Sequence, residues 1–261
     1  NIHTENNGIV RGVFGWPAIH TRLRAGIAKE ETPKTDNLFI DVGANDRAGV
    51  ERLGIQVGDV ITYPDELTVL NGDKYVGRAL DNRMGGFMIA QVARLLRENE
   101  VELPFSLYLV NSVQEEVGLN GAQMISRTIV PDAAIVTDVT HDTSTPMIDA
   151  KVEGDIKCGA GPVISRAPAV QNNLRALILQ AARKNEIPYQ LAAHSRSTGT
   201  DTDAFAFSGK GIASALISLP LRYMHTTVEM VAREDVENTI RLIYQSLLEI
   251  PCGEDFRYIK L

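Results

Sequence analysis

The sequence predicts an α/β fold with a mixed, mostly parallel sheet flanked by helices, preceded by a small β-rich domain. From residue 75 onward, apolar strands alternate with amphipathic helices, which is typical of a parallel sheet covered by helices. Residues 1–74 show short strand-like runs and turns, with only one short helical stretch. We therefore predict a β-rich domain over residues 1–74 and an α/β domain over residues 75–261.

The β-rich domain is predicted from short runs of β-branched and aromatic residues between turn signals. Strand-like runs cover residues 9–15, 38–42 and 57–63. Residues 46–53 suit a short helix that Gly54 closes. The pattern indicates a separate β module and not half of a Rossmann fold.

Apolar periodicity defines the elements of the α/β domain. Residues 81–98 place their large apolar side chains on one helical face. Residues 105–113 form a nearly continuous apolar run, as expected for a central strand buried on both faces. The same reasoning predicts further helices and strands: helices over 122–129, 174–182 and 234–250, and strands over 133–138, 187–192 and 212–219.

Composition narrows the class of protein. The net charge of −7 argues against a nucleic-acid-binding surface, for which a basic balance is expected. No apolar run is long enough to span a bilayer. The two cysteines, Cys158 and Cys252, are too few for a disulfide framework and suit a reducing cytoplasm. We expect a cytoplasmic protein that binds neither nucleic acid nor a membrane.

Three side chains that can bind metal ions or transfer protons follow strand-like segments. They are expected at the edge where open α/β sheets bind ligands. These are Asp81, Asp138 and His225. Taken singly, Asp81 is more often a helix N-cap, Asp138 a turn residue and His225 a loop or core residue. Because all three are expected at the same edge of the sheet, a shared site becomes the stronger interpretation.

Glu115 and Glu116 follow the apolar run 105–113 and form the more informative feature. Two adjacent carboxylates at the exit of a buried strand repel each other unless a cation or hydrogen-bond donors compensate them. Considered alone, the pair is more simply interpreted as two solvated acidic residues on the surface. With the other acids and the histidine at the same edge, they favour a metal site. Carboxylates with imidazole suit zinc, cobalt or manganese, whereas calcium sites seldom use histidine.

Motifs along the chain resemble those of the glutamyl aminopeptidase family of dinuclear metallo-aminopeptidases. This family includes the self-compartmentalising TET peptidases and proteins once labelled endoglucanases. The matching segments are 78–83 (RALDNR), 113–122 (VQEEVGLNGA), 187–190 (IPYQ), 199–201 (GTD) and 222–225 (RYMH). In combination they are highly specific, and the resemblance covers nearly the whole chain.

The resemblance also implies an architecture and an assembly. Residues 12–15 and 53–59 resemble the family's β-rich insert, which has a PDZ- or SH3-like barrel fold and mediates dimerisation. The α/β domain would have the zinc-peptidase-like fold. A homo-oligomer is therefore expected, in which dimers assemble into a dodecamer.

Roles for individual residues follow from the resemblance. Asp81 would bridge two divalent metal ions, zinc or cobalt. Glu116 and His225 would complete one metal site and Asp138 would serve the other. Glu115 would be the general base, beside the ions but not bound to them. The implied activity is an aminopeptidase acting on peptide substrates, and the remaining substrate-binding residues would be Gly199, Thr200, Asp201 and Arg222.

One family motif is not found, a His-x-Asp pair on a strand upstream of the β-rich insert. None of the five histidines is followed two residues later by aspartate. We expect an upstream segment that completes both the sheet and the first metal site. A protein of these residues alone is expected to hold at most one ion strongly and to be inactive.

Two alternatives to an aminopeptidase stay open. A related dinuclear hydrolase, an N-deacylase or a dipeptidase, would use the same metal-binding residues with a different substrate pocket. A non-catalytic assembly homologue would keep the fold, although intact Glu115 speaks against a decayed site. A cellulase is not supported, because Glu115 and Glu116 are adjacent and cannot face each other across a cleft.

Overall fold

A computed structural model of the chain describes residues 1–15, 21, 38–64 and 66–257. The chain divides into two compact units, Asn1–Asp65 and Glu66–Leu261. The predicted boundary between residues 74 and 75 lies in the second unit. Residues 16–20 and 22–37 of the predicted β-rich domain lie outside the described part.

Within residues 1–15 and 38–64, the first unit contains short strands and the short helix α1. One sheet has the order β2-β1-β5 and is antiparallel, and β3 pairs with β4. Asp46 caps the helix by accepting a hydrogen bond from the Gly49 N–H, and Gly54 ends it with a φ of +78°. The barrel fold expected for this unit stays a prediction. The elements are β1 (Ile2–Thr4), β2 (Gly8–Val10), β3 (Val13–Gly15), β4 (Phe39–Asp41), α1 (Arg47–Arg52) and β5 (Val60–Ile61).

The second unit is a large mixed sheet flanked by helices, which confirms the predicted α/β class. Its strand order over the described residues is β10-β9-β11-β12-β7-β6, with β8 paired to β11. The elements are β6 (Thr68–Leu70), β7 (Lys74–Gly77), α2 (Leu80–Glu98), α3 (Asn120–Ile129), β8 (Ala133–His141), α4 (Ala150–Glu153), β9 (Val163–Arg166), α5 (Asn172–Lys184), β10 (Gln190–Ala193), α6 (Asp201–Ala206), β11 (Ala213–Arg222), β12 (Glu229–Ala232) and α7 (Arg233–Glu249).

β11 lies at the centre of this unit. Its residues Ala213–Leu221 are all buried, because the strand pairs on both edges and is covered by helices on its faces. The amphipathic helices α2, α5 and α7 supply most of the apolar side chains that pack against it. The core therefore fixes the end of β11, after which the chain turns towards the candidate site.

The sheet is mixed, as predicted, but it is not mostly parallel among the described strands. Two pairings are parallel, β9 with β10 and β8 with β11, and four are antiparallel. Short connections join β6 to β7 and β11 to β12, and such connections can only produce antiparallel neighbours. The longest pairing, β8 with β11, is parallel.

The central strand predicted over residues 105–113 is not a strand in the structure. Phe105 and Leu107 pack against the core, but the alternation of exposure breaks where Tyr108 and Leu109 are both exposed. An extended segment becomes a strand only when its backbone pairs with a neighbour, and the described residues form no ladder with it. A cavity of about 1090 Å³ is lined both by residues 104–112 and by residues 133–138 of β8.

Candidate metal centre

Asp81 begins the site at the entrance to α2. The local sequence predicts that Asp81 caps the helix, but the capping hydrogen bond is made by the next residue, Asn82, whose Oδ1 accepts the Gly85 N–H at 2.7 Å. Asp81 itself has a non-helical backbone, with φ −82° and ψ 103°. Its side chain, almost fully buried, turns instead towards His225, at 3.2 Å between Oδ2 and Nε2.

His225 lies in the turn between β11 and β12. Its φ of 62° is in the left-handed region, which non-glycine residues adopt rarely and mostly at turns or functional sites. Its Nε2 atom lies 3.4 Å from Oε2 of Glu116 in addition to its contact with Asp81. The potential ligand atoms of Asp81, Glu116 and His225 all lie within 4.8 Å of one another, close enough to hold one metal ion. We call these three residues the ligand trio.

Glu229 accepts hydrogen bonds from the backbone of two members of the ligand trio. It was not identified as a site residue from the sequence. It is the first residue of β12 and is only 2% exposed. Its Oε2 accepts the Asp81 N–H at 3.0 Å, and its Oε1 accepts the His225 N–H at 2.8 Å. The one signal in the sequence is an acid that opens an otherwise apolar strand, Glu-Met-Val-Ala, four residues after His225.

Glu115 is half-buried beside the ligand trio. Loss of water contact raises the pKa of its carboxyl to about 7, and the negative charges of Asp201, Glu116 and Asp81 act in the same direction. A carboxyl that is half-ionised near neutral pH can both accept and release a proton. Glu115 therefore has the acid–base properties that proton transfer at neutral pH requires.

Asp138 lies on β8 in the wall of the same cavity but outside the ligand trio. Its Oδ1 accepts the Val139 N–H at 2.8 Å and the Asn82 Nδ2 donor at 3.3 Å. Burial raises the pKa of its carboxyl to about 8, although the hydrogen bond from Val139 opposes this, and the charges of Asp81 and Glu115 raise it further. Asn82 also donates to the Thr137 carbonyl at 2.9 Å, which ties the entrance of α2 to β8.

Asp201 faces the cavity from the first turn of α6. It is 8% exposed, and one carboxylate oxygen accepts the Ser112 hydroxyl. Its other oxygen, Oδ1, is buried without a hydrogen-bond partner among the described residues. Ser112 precedes Glu115 closely in the chain, so Asp201 anchors the end of the extended segment 104–112 next to the acidic pair.

The other three predicted substrate-binding residues make local contacts. Thr200 caps α6, accepting the Thr202 N–H, and the Gly199 N–H donates to Oδ2 of Asp203 at 3.0 Å. Arg222 binds the buried Asp142, with 2.5 Å between Nε and Oδ2. Burial alone would raise the pKa of Asp142, but hydrogen bonds from Ser144 and then from Arg222 lower it to about 2. Their role in substrate binding stays a prediction.

The electrostatics of the cluster fit a divalent cation. Burial is the largest cause of the raised pKa of Asp81, about 6, and the charges of Glu116 and Glu229 add to it. Asp81, Glu115 and Asp138 thus all have raised pKa values, because buried carboxylates lie close together without enough positive charge. A cation bound to the ligand trio would relieve this repulsion. Two carboxylates and an imidazole are a donor set suited to zinc, cobalt or manganese.

The family model for M42 glutamyl aminopeptidases matches residues 1–242 of the chain. The chain is 35% identical over 240 residues to lysyl aminopeptidase of Pyrococcus furiosus, covering 91% of this chain and 66% of that protein. It is 33% identical over 245 residues to the putative aminopeptidase FrvX of Escherichia coli, covering 93% of this chain and 67% of the relative. The chain thus spans about two thirds of the length of these curated relatives.

Solved structures agree with the sequence matches. An aminopeptidase from Desulfurococcus kamchatkensis has a TM-score of 0.83 and 31% identity, covering 95% of this chain and 68% of that one. A TET aminopeptidase from a marine sediment thaumarchaeote has a TM-score of 0.81 and 29% identity, covering 94% and 68%. The fold and its acidic, histidine-containing site define a peptidase-like α/β protein. The chain belongs to the M42 glutamyl aminopeptidase family, which confirms the resemblance found in the sequence.

No helix among the described residues has both the length and the apolar character needed to cross a membrane.

Proposed function

We propose that this chain carries the greater part of the active site of a metal-dependent aminopeptidase, which removes N-terminal residues from short peptides. The observation that carries the proposal is the ligand trio, in which two carboxylates and an imidazole converge within 4.8 Å in a chain of the M42 family. The trio assembles from α2, the loop after residue 113 and the turn after β11. Such convergence of distant residues supports a functional role over three independent structural ones.

The proposed cofactor is a pair of divalent ions, zinc or cobalt. Asp81 is proposed to bind both, with Glu116 and His225 holding one and Asp138 holding the other. The raised pKa values of Asp81 and Asp138 support ligand roles for both, because a cation would compensate their buried negative charge. When bound, the ions would supply acidification of a water molecule and polarisation of the scissile carbonyl.

Glu115 is proposed to be the general base. Its carboxylate would accept a proton from the attacking water and donate it to the departing amine. A pKa of about 7 places the group near half-ionisation at neutral pH, where a residue can do both. Glu115 lines the same cavity as Asp81 and Glu116 of the ligand trio, which supports a role as a base beside the ions.

Substrate recognition is proposed to depend on the negative charge of this cavity. A free α-ammonium group is a cation with three donors, and Asp201 presents a buried, unpartnered oxygen in the cavity wall. Gly199, Thr200 and Arg222 are proposed to shape the surroundings of this pocket. This charge pattern favours an aminopeptidase over an N-deacylase, whose substrate lacks the α-ammonium group.

We further propose a homo-oligomer in which residues 1–74 mediate subunit contact. Support comes from large apolar side chains that the first unit leaves exposed, among them Val13, Phe14, Phe39 and Val60. Solved relatives also support it: a structure of PhTET1-12s, at 28% identity and a TM-score of 0.74, has a dodecamer in its asymmetric unit. The Pyrococcus horikoshii TET1 peptidase, at 27% identity and a TM-score of 0.77, is described as assembling into a tetrahedron or a large octahedral shell. Light scattering would test this, because a monomer at micromolar concentration contradicts the proposal.

Activity assays separate the candidate functions. The full-length protein is stripped of metal with a chelator, reloaded with zinc or cobalt, and assayed on amino-acid p-nitroanilides, N-acetyl amino acids, dipeptides and carboxymethylcellulose. We expect metal-dependent release of p-nitroaniline and no release of sugar. Cleavage restricted to N-acetyl amino acids or to dipeptides would favour the related hydrolases. No turnover of any substrate by metal-loaded protein would favour the non-catalytic homologue.

A further inference from the structure

Glu229 is a buried carboxylate that contacts the backbone of two members of the ligand trio. Asp81 and His225 are far apart in the sequence, and each donates its N–H to a different oxygen of Glu229, at 3.0 and 2.8 Å. The β7–β12 pairing places Glu229 opposite Gly77, just before the entrance to α2. One side chain therefore joins two segments that each supply a member of the ligand trio.

One of the supported segments has a backbone conformation that its sequence does not favour. His225 has a φ of 62°, in the left-handed region that non-glycine residues rarely adopt. A residue in this conformation persists only when the surroundings over-determine it. A carboxylate that accepts both N–H groups supplies this constraint, because charge-assisted hydrogen bonds are roughly twice as strong as neutral ones.

The charge of Glu229 has a second consequence. None of the ion pairs found among the described residues includes Glu229, so its burial is compensated by the two N–H groups. A buried anion with so little compensation is costly unless a cation lies near. A cation bound to the ligand trio would lie near this carboxylate, because Glu229 contacts the backbone of two of its members.

We propose that Glu229 is a positioning residue that holds Asp81 and His225 at ligand geometry and increases the affinity of the ligand trio for a divalent cation. This inference rests on the proposed metal site. It differs from the ligand assignments, because Glu229 does not touch the ion and acts through the backbone of two residues that do.

The test compares Glu229→Gln with wild type and with Glu234→Gln, a matched control on the exposed start of α7. Glutamine keeps the shape but removes the charge, and its NH₂ group faces one N–H that the carboxylate accepted. Zinc affinity is measured by competition with a chromophoric chelator, and unfolding is followed in EDTA. We expect Glu229→Gln to lower zinc affinity about 10- to 100-fold, as loss of an outer partner of a metal ligand commonly does. Glu234→Gln should bind zinc like wild type.

The outcomes separate this inference from the proposed function. A wild-type chain that binds no zinc would contradict the metal site itself. Equal zinc affinity of wild type and Glu229→Gln would overturn the Glu229 inference alone. A lower unfolding temperature in EDTA with unchanged zinc affinity would show a merely structural role and also overturn it. If Glu229→Gln fails to fold, Glu229→Asp keeps the charge but shortens the reach, and wild-type affinity in that variant would contradict positioning.

Discussion

Asp81 shows how a residue with a common structural role can serve another purpose. An aspartate at the start of a helix usually caps it, yet here the N-terminal residues of α2 depart from helical geometry and the carboxylate faces His225. The backbone N–H of Asp81 is held by Glu229. The local sequence alone cannot reveal this, because the competing interactions come from distant parts of the chain.

Glu115→Gln is predicted to abolish turnover while leaving metal content nearly intact. The variant removes the proton acceptor but no proposed ligand. Loss of a general base lowers the rate by roughly two to four orders of magnitude. In the full-length protein, kcat and bound metal are compared between Glu115→Gln and the control Glu102→Gln, an exposed position that precedes the extended segment 104–112. Near-normal turnover in Glu115→Gln would contradict the proposed role of Glu115 as general base.

Asp81→Asn is predicted to weaken the binding of both metal ions, whereas Asp138→Asn is predicted to weaken the binding of mainly one. Neutralising a shared anion leaves two cations with less compensation, but Asp138 is proposed to serve a single ion. Titration of each variant by calorimetry, with elemental analysis of bound metal, measures the two losses. Equal, single-ion losses in the two variants would refute the bridging assignment of Asp81.

Among the secondary-structure elements, the sequence correctly predicted the amphipathic helices, which depend on local periodicity. The helices over 81–98, 122–129, 174–182 and 234–250 are confirmed with ends shifted by a few residues, since amphipathic spacing is recorded in the sequence itself. The short elements β9, β12 and α6 were not predicted, because a few residues carry too little periodicity.

The candidate site was predictable only in part, for a related reason. Asp81, Glu115, Glu116, Asp138 and His225 could be named because strand ends converge on one edge of a sheet. Glu229 could not, because its importance depends on long-range hydrogen bonds to backbone groups, which leave no pattern in a sequence. The prediction of a strand over 105–113 was wrong for the converse reason. A strand requires a paired neighbour as well as an apolar run.

Backbone amides of residues 105–112 are predicted to exchange with solvent roughly a thousandfold or more faster than those of β8 in its pairing with β11. The segment forms no strand ladder with the described residues, whereas β8 pairs along its whole length. Amides without hydrogen bonds exchange at near-zero opening cost, and core strands open only with much of the fold. Hydrogen exchange with mass spectrometry measures this. Equal protection of both segments would mean that residues 105–112 pair in solution.

For the chain as a whole, the acidic cluster predicts that stability depends on pH and on bound metal. Asp81, Glu115 and Asp138 have folded-state pKa values of about 6, 7 and 8, above ordinary values of 3.8 and 4.5. These three groups therefore favour the folded state most below about pH 4. Their contribution to the free energy of unfolding falls as the pH rises to about 8. Asp142, with its lowered pKa, contributes stability above its ordinary pKa of 3.8 and adds no slope at higher pH.

The melting temperature of the chain in EDTA is accordingly predicted to fall between pH 5 and pH 8. Saturating zinc should remove most of this slope, because the cation compensates the carboxylates as they ionise. Thermal unfolding followed by circular dichroism measures both series, and Asp138→Asn should flatten the metal-free curve above pH 7. A metal-free melting temperature that rises over this range would contradict the proposed cause.

The central claim is that Asp81, Glu116 and His225 hold a metal ion, and anomalous diffraction tests it most directly. Crystals of the chain soaked in zinc would be measured on both sides of the zinc absorption edge. We predict an anomalous peak about 2.0–2.2 Å from a carboxylate oxygen of Asp81, one of Glu116, and Nε2 of His225. A map with no peak at these three atoms, or with zinc bound elsewhere while they stay free, would contradict the claim.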